Sequence, residues 1–238
     1  MRKLSFLAAL ILLINAGNGF ADPLDITDIV GGWTNAQPNT TTNLSINNAA
    51  NQGTDQARWG NPQNVNPSGY NFTPGADILN VALGTPILLG TFQHLNEPIT
   101  GTFLDSIDYS FGFTTNGAPM MLSTTFQFDH DETSNDGSCD AGPEGPSVSN
   151  CDDFVIISTA GINQMITVGG DVYFFNLLGF SKDGGATIRT GFQSPEGGTT
   201  TAGLYGIVTS QPVPEPATLL LLLTGLGGIT AAARRKKS

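Results

Sequence analysis

Two histidines and a crowd of carboxylates are the groups in this 238-residue sequence best suited to chemistry. His94 and Asn96 stand two apart, so on an extended strand they share one face. With Glu97 they would form a small polar set able to bind a ligand or a metal. The competing and simpler reading is a turn, in which Asn96 bonds local backbone and Pro98 restarts a strand. The second set is acidic: Asp129, His130, Asp131 and Glu132 run together and continue through Asp136 and Asp140 to Glu144. Hard oxygen ligands crowded on a loop suit calcium, and the candidate ligands are Asp129, Asp131, Glu132, Asp136, Asp152 and Asp153. EF-hand spacing is absent, because Ser134 replaces the glycine at the sixth position from Asp129 and no glutamate stands at the twelfth. A solvated acidic loop therefore competes with the calcium reading.

Catalysis finds little support in the residues. A pair of carboxylates can serve a glycosidase, but with this many acids a chance pairing is expected. Trp33, Trp59 and four tyrosines do not suggest an aromatic cleft, and no nucleophile elbow, phosphate loop, HExxH or CxxC occurs. The expectation is a protein that is not an enzyme, with no certain cofactor.

The elements that must position these groups read as strands. Thirty glycines, fourteen prolines and 12% charged residues suit a turn-rich β fold, and an apolar fraction of 39% is enough for a core. Strands are expected over 78–83, 87–92, 103–113, 120–128, 154–159, 164–168 and 172–180, with a last one around 204–208. Ile107, Tyr109, Phe111 and Phe113 fall on one face of theirs, as do Phe126 and Phe128. The Asn- and Thr-rich stretch 34–52 reads as a mobile lead-in or a meandering edge. Short strands separated by turn signals predict an all-β domain over 22–209, a single β-sandwich or jelly-roll-like body.

The two ends carry different signals. Residues 1–21 read as a secretory signal peptide: Arg2 and Lys3, an apolar run over 4–14, then Gly19 and Ala21 at −3 and −1 of a cut before Asp22. At the other end, 210–216 is a linker ending in Val213, Pro214, Glu215 and Pro216. The uncharged stretch 217–233 follows, and the basic run Arg234, Arg235, Lys236 and Lys237 closes the chain. Seventeen uncharged residues are at the lower limit for a spanning helix, and the basic end would remain cytoplasmic. The prolines disfavour helix and leave an extended strip for an enzyme to grip.

This combination resembles the PEP-CTERM sorting signal of Gram-negative bacteria that make extracellular polysaccharide. The resemblance implies an inner-membrane-anchored precursor and processing by an exosortase, a membrane cysteine protease, after signal peptidase has acted at the other end. It implies a destination at the cell surface or in the extracellular matrix, with exopolysaccharide as a partner. A plain tail anchor shares the span and the charges but leaves the Pro-Glu-Pro strip unexplained.

In such an exported region Cys139 and Cys151 are expected to pair, and closing so short a loop is worth roughly 3 kcal/mol. A metal pair would lack partner ligands. The whole chain has a formal charge of −11, but residues 22–212 hold three basic against nineteen acidic groups, a net of −16. That field repels phosphate backbones, so nucleic acid is excluded as a partner.

A second resemblance covers most of the domain. The run from Leu89 to Ile99, with Gln93, His94, Asn96 and Pro98 at its centre, is similar to the signature of the THxN family of PEP-CTERM proteins, related to choice-of-anchor domains. Arg58-Trp59-Gly60-Asn61-Pro62, Asp131-Glu132-Thr133-Ser134-Asn135, Cys151-Asp152-Asp153 and the stretch from Tyr173 to Phe180 also fit the pattern. Gln93 replaces the signature threonine, and Ser134 stands where proline is expected. The resemblance implies location more than activity: an exported structural protein associated with exopolysaccharide or biofilm, or alternatively a carbohydrate-binding module assisted by calcium.

Overall fold

Strands are the only regular elements of the computed structural model, which describes residues 23–50, 52–121, 125–133, 142–147, 151–160 and 163–210. The signal peptide, the Pro-Glu-Pro strip with Val213, Pro214, Glu215 and Pro216, the apolar span, Asp136 and Cys139 lie outside the described residues. Among the described residues there are fifteen strands: β1 (Ile26–Gln37), β2 (Ser45–Asn47), β3 (Asp55–Trp59), β4 (Asn61–Pro62), β5 (Ser68–Pro74), β6 (Pro86–Asn96), β7 (Ile99–Thr100) and β8 (Ser106–Thr115) come first. They are followed by β9 (Ala118–Met121), β10 (Phe126–Asp131), β11 (Asp153–Ile157), β12 (Gln164–Val168), β13 (Asp171–Ser181), β14 (Gly191–Ser194) and β15 (Gly198–Ser210).

They form two large antiparallel sheets and one small pair. The first sheet runs β1-β8-β10-β11-β14, with β9 continuing the β10 side of β8. The second runs β12-β13-β15-β6-β5-β3-β2, and β4 pairs with β7. One face of each sheet is apolar, because side chains alternate along a strand. On β8, Ile107, Tyr109, Phe111 and Phe113 are buried, and Phe126 and Phe128 are fully buried on β10. The opposing sheet supplies Tyr70 and Phe72 from β5, Phe92 from β6 and Phe175 from β13.

These faces meet ring to ring. Trp33 lies 5.6 Å from Tyr70, Phe72 5.0 Å from Tyr109, and Phe92 5.9 Å from Phe128. Aromatic contacts at such spacings add to the area already buried. A hydrogen bond also crosses the gap, from the Tyr109 hydroxyl on β8 to Asp55 on β3.

Most of the expected strands are present, with several differences. The stretch 78–83 is not a strand. Ile78 pairs with Ile26 as an isolated bridge, Asn80 takes φ +54°, and Leu79 is exposed. The chain is held there instead by Val81 N–H on Leu24 O and Asn80 N–H on the Asp25 carboxylate.

The stretch 34–52 is an edge rather than a lead-in. It contains the end of β1 and the outermost strand β2, and the Asn48 side chain bonds both the N–H and the C=O of Trp33. Strands β1, β3, β5 and β14 are additions to the expected set. Of these, β1 is twelve residues long and buries Trp33, yet its alternation is hidden by register shifts near Asp28 and Asn35. Both residues have positive φ, which side chains of this kind tolerate.

Candidate functional site

The aromatic core turns polar at one end. On β6 the buried row Phe92, His94, Asn96 puts both polar residues inward, on the face that their spacing predicts. His94 sits opposite Tyr70 of β5, and Tyr70 in turn is opposite Ala57 of β3, two residues before Trp59. From the facing sheet, the row Phe126, Phe128, His130 on β10 brings the second histidine inward. Asp153 does the same at the start of β11, on the face of Val155 and Ile157.

The groups thus delivered touch. The rings of His94 and His130 are 5.2 Å apart and perpendicular, and the Trp59 indole stacks on His94 at 6.3 Å. Tyr70 Oη lies 2.7 Å from His130 Nδ1, and His130 Nε2 lies 3.3 Å from a Glu132 carboxylate oxygen. One oxygen of Asp153 accepts from both the N–H and the hydroxyl of Thr133, at 2.9 and 3.0 Å. One ligand atom from each of His94, His130 and Asp153 lies within 4.8 Å of the others.

Several polar atoms here have no hydrogen-bond partner among the described residues: both ring nitrogens of His94, the second oxygen of Asp153, and the Asn96 carbonyl oxygen. The Trp59 N–H lies near enough to Glu132 to favour its charged form, but outside hydrogen-bonding geometry.

Burial governs the protonation of this cluster. It pushes the His94 imidazole well below the usual histidine value, and the neighbouring His130 adds to that. His130 is also lowered by burial, against the opposing pull of Asp153, Asp131 and Asp105. Glu132 and Asp153 are both raised by burial, and Asp153 further by the charge of Glu132. Desolvation first, and then Asp153, pushes the Tyr70 phenol well above its usual value. Two neutral imidazoles therefore face carboxyls that resist ionising without a counter-charge.

The residues singled out from the sequence fare unevenly. The turn reading of His94 and Asn96 is corrected. His94 is interior to a strand, and the Asn96 amide donates to the distant Ser194 carbonyl at 2.9 Å, whereas Pro98 does stand just before β7. Glu97 is held through its backbone, its N–H bonding the Ser68 hydroxyl and its carbonyl accepting from it. Gln93 faces outward, bonded to Asn71 and Thr201.

Of the six-carboxylate calcium set, Asp136 lies outside the described residues, and Glu132 and Asp153 come together. Asp129 and Asp131 alternate outward on β10, and Asp129 accepts from Gln127. Asp152 accepts from the buried amide of Gln193, while Glu132 and Asp153 turn into the histidine cluster instead. His130, Tyr70 and Trp59 were not picked as site residues from the sequence. The signal that finds His130 is the period-two row continuing past Phe128. Cys151 is buried at the foot of β11, and its expected partner Cys139 lies outside the described residues.

Comparison with known proteins places a PEP-CTERM protein-sorting motif at residues 212–236. That motif supports sorting by an exosortase system and implies an exported, membrane-anchored precursor in a Gram-negative bacterium. A curated protein, EEF1A lysine methyltransferase 3 of Xenopus tropicalis, is 31% identical over 113 residues, which is 44% of this chain and 50% of that protein. The chain thus spans about half the length of this relative.

Proposed function

We propose that the protein is a non-enzymatic component of the cell envelope or extracellular matrix, delivered through the exosortase route and associated there with exopolysaccharide. The sorting motif at residues 212–236 carries this reading. The body is read as a β-sandwich whose role is structural, of the THxN and choice-of-anchor kind. Two properties support a structural over a catalytic role. His94 and Asp153 have no solvent exposure, and His130 is 7% exposed, so these groups are out of reach of a substrate. Two surface hollows, one beside Leu88, Thr91 and Tyr205 and one beside Glu144, Asp183 and Arg189, include no member of the histidine cluster.

Carbohydrate recognition by stacked rings gains nothing from the described surface, where Phe103, 37% exposed, is the one aromatic among the exposed large apolar side chains. The folded domain is strongly acidic, which favours solubility in a hydrated matrix and association with cations.

Intact mass of the protein recovered from envelope and medium fractions of the native host tests the reading. The expected product starts at Asp22 and ends near Pro214 or Pro216, and added mass at the new terminus would reveal the attachment. A mature protein still ending at Ser238 would instead mean a permanently anchored domain, and the exosortase step would have to be abandoned.

A further inference from the structure

The buried end of the core brings two imidazoles and a carboxylate from three strands to one point. We propose that His94, His130 and Asp153 form a structural site for zinc or a similar first-row transition cation, with Glu132 the nearest further carboxylate.

Geometry carries the proposal. The three ligand atoms lie within 4.8 Å of one another, and a tetrahedral site with bonds of 2.0–2.1 Å needs them about 3.4 Å apart, a closure that side-chain rotation can make. Two of the three are already oriented by outside contacts in the manner of metal ligands. Tyr70 Oη sits against His130 Nδ1, so that with the proton on Nδ1 the Nε2 lone pair is turned toward Glu132 at 3.3 Å, where a cation would be shared between the two. Thr133 holds one Asp153 oxygen and leaves the other without a partner.

His94 supplies the independent observation. It is fully buried and neither ring nitrogen has a hydrogen-bond partner, although a neutral imidazole carries one donor and one acceptor. Leaving buried polar groups unmet is costly to the folded state. A cation at the cluster would take up a His94 lone pair and the free Asp153 oxygen together.

The donor set selects the ion. Imidazole nitrogens suit zinc, copper, iron and nickel, whereas calcium takes oxygen alone. A divalent cation also supplies positive charge to buried Asp153 and Glu132, which the described contacts of Lys182 and Arg58 do not reach. Lys182 pairs with Glu144 and covers Phe192, and Arg58 bonds Asn71 and backbone carbonyls. The exposure of the cluster argues for a structural ion rather than a catalytic one.

The test uses the untagged full chain in detergent, stripped with a chelator and then titrated separately with Zn²⁺, Co²⁺ and Ca²⁺. The expected result is one equivalent of Zn²⁺ per chain by elemental analysis, a raised Tm, and visible Co²⁺ bands of a four-coordinate site with nitrogen ligands. His94→Gln and Asp153→Asn should each weaken uptake by about tenfold or more. If His94→Gln does not fold, Asp153→Asn keeps the Thr133 contacts, and uptake by the unaltered chain remains decisive.

Three results would overturn the assignment. Failure of the unaltered chain to take up Zn²⁺ or Co²⁺ would mean that ordered water satisfies these atoms. Full uptake by both variants would place the ion elsewhere. A Ca²⁺ response equal to that of Zn²⁺ would move it to the surface carboxylates.

Discussion

The hydroxyl of Tyr109 and the carboxylate of Asp55 join the two sheets through a single buried bond, with the Ala49 N–H as the other donor to Asp55. Tyr109→Phe removes that donor and leaves a desolvated carboxylate behind. It should lower stability by about 1–3 kcal/mol in urea denaturation, with no change of fold. Burial raises the Asp55 carboxyl above its ordinary value of 3.8 despite both hydrogen bonds. Its contribution to stability is therefore fully present below pH 3.8 and is lost as pH rises through the raised value. Asp55→Asn should flatten that part of the stability–pH curve, and an unchanged curve would show that Asp55 does not titrate in this window.

At the same scale, the inward direction of His94 and Asn96 was legible, because a spacing of two on a strand fixes a shared face. The direction of His130 was concealed by its neighbours. Asp129 and Asp131 made the segment look like a solvated acidic loop, although His130 between them and Glu132 beyond turn inward. What no local pattern could reveal was that Asp153 would lie beside His94, since that contact exists only when the sheets face each other.

Strand by strand, turns and bends decide the register. Asn116 and Gly117 have φ +46° and +81° between β8 and β9, and Gly169 and Gly170 have +62° and +97° between β12 and β13. Both pairs are two-residue hairpin turns of the kind that needs positive φ twice. Gly179 differs, because it marks the register shift between β13 and β15 at φ +139°, where an added Cβ would meet the Arg189 carbonyl oxygen at 2.1 Å. Gly117 has nothing within 4 Å of the same position. Gly117→Ala should therefore cost about 1–2 kcal/mol, from backbone strain alone. Gly179→Ala should cost about 3 kcal/mol or more, because clash adds to strain. Thermal unfolding of the two variants measures the difference, and equal losses would contradict the bulge as the point of close approach. Strands with an unbroken period, such as β12, were read from the sequence to the residue. The long β1 was missed because two shifts turn its inward row over midway, and β3 and β5 because Gln56, Arg58 and Asn71 on their outer faces masked short buried rows.

Taken whole, the molecule is two sheets and a tail with opposite demands, one set to fold and the other to be handled by membrane enzymes. Cys139 and Cys151 would tie off the acidic connection between β10 and β11. Under denaturing, non-reducing conditions neither cysteine should alkylate, while both should after reduction. Alkylation before reduction would rule the crosslink out, and Cys151→Ala is expected to lower stability by about 3 kcal/mol. The tail leaves the domain at Ser210, the last residue of β15, which lies inside its sheet with β13 on one side and β6 on the other. Antiparallel hydrogen bonds run perpendicular to their strands, so a pull along β15 loads both ladders in shear, many bonds at once, instead of peeling them singly. A domain fastened to a surface by this end and dragged by flow would thus meet mechanical force along its most resistant direction.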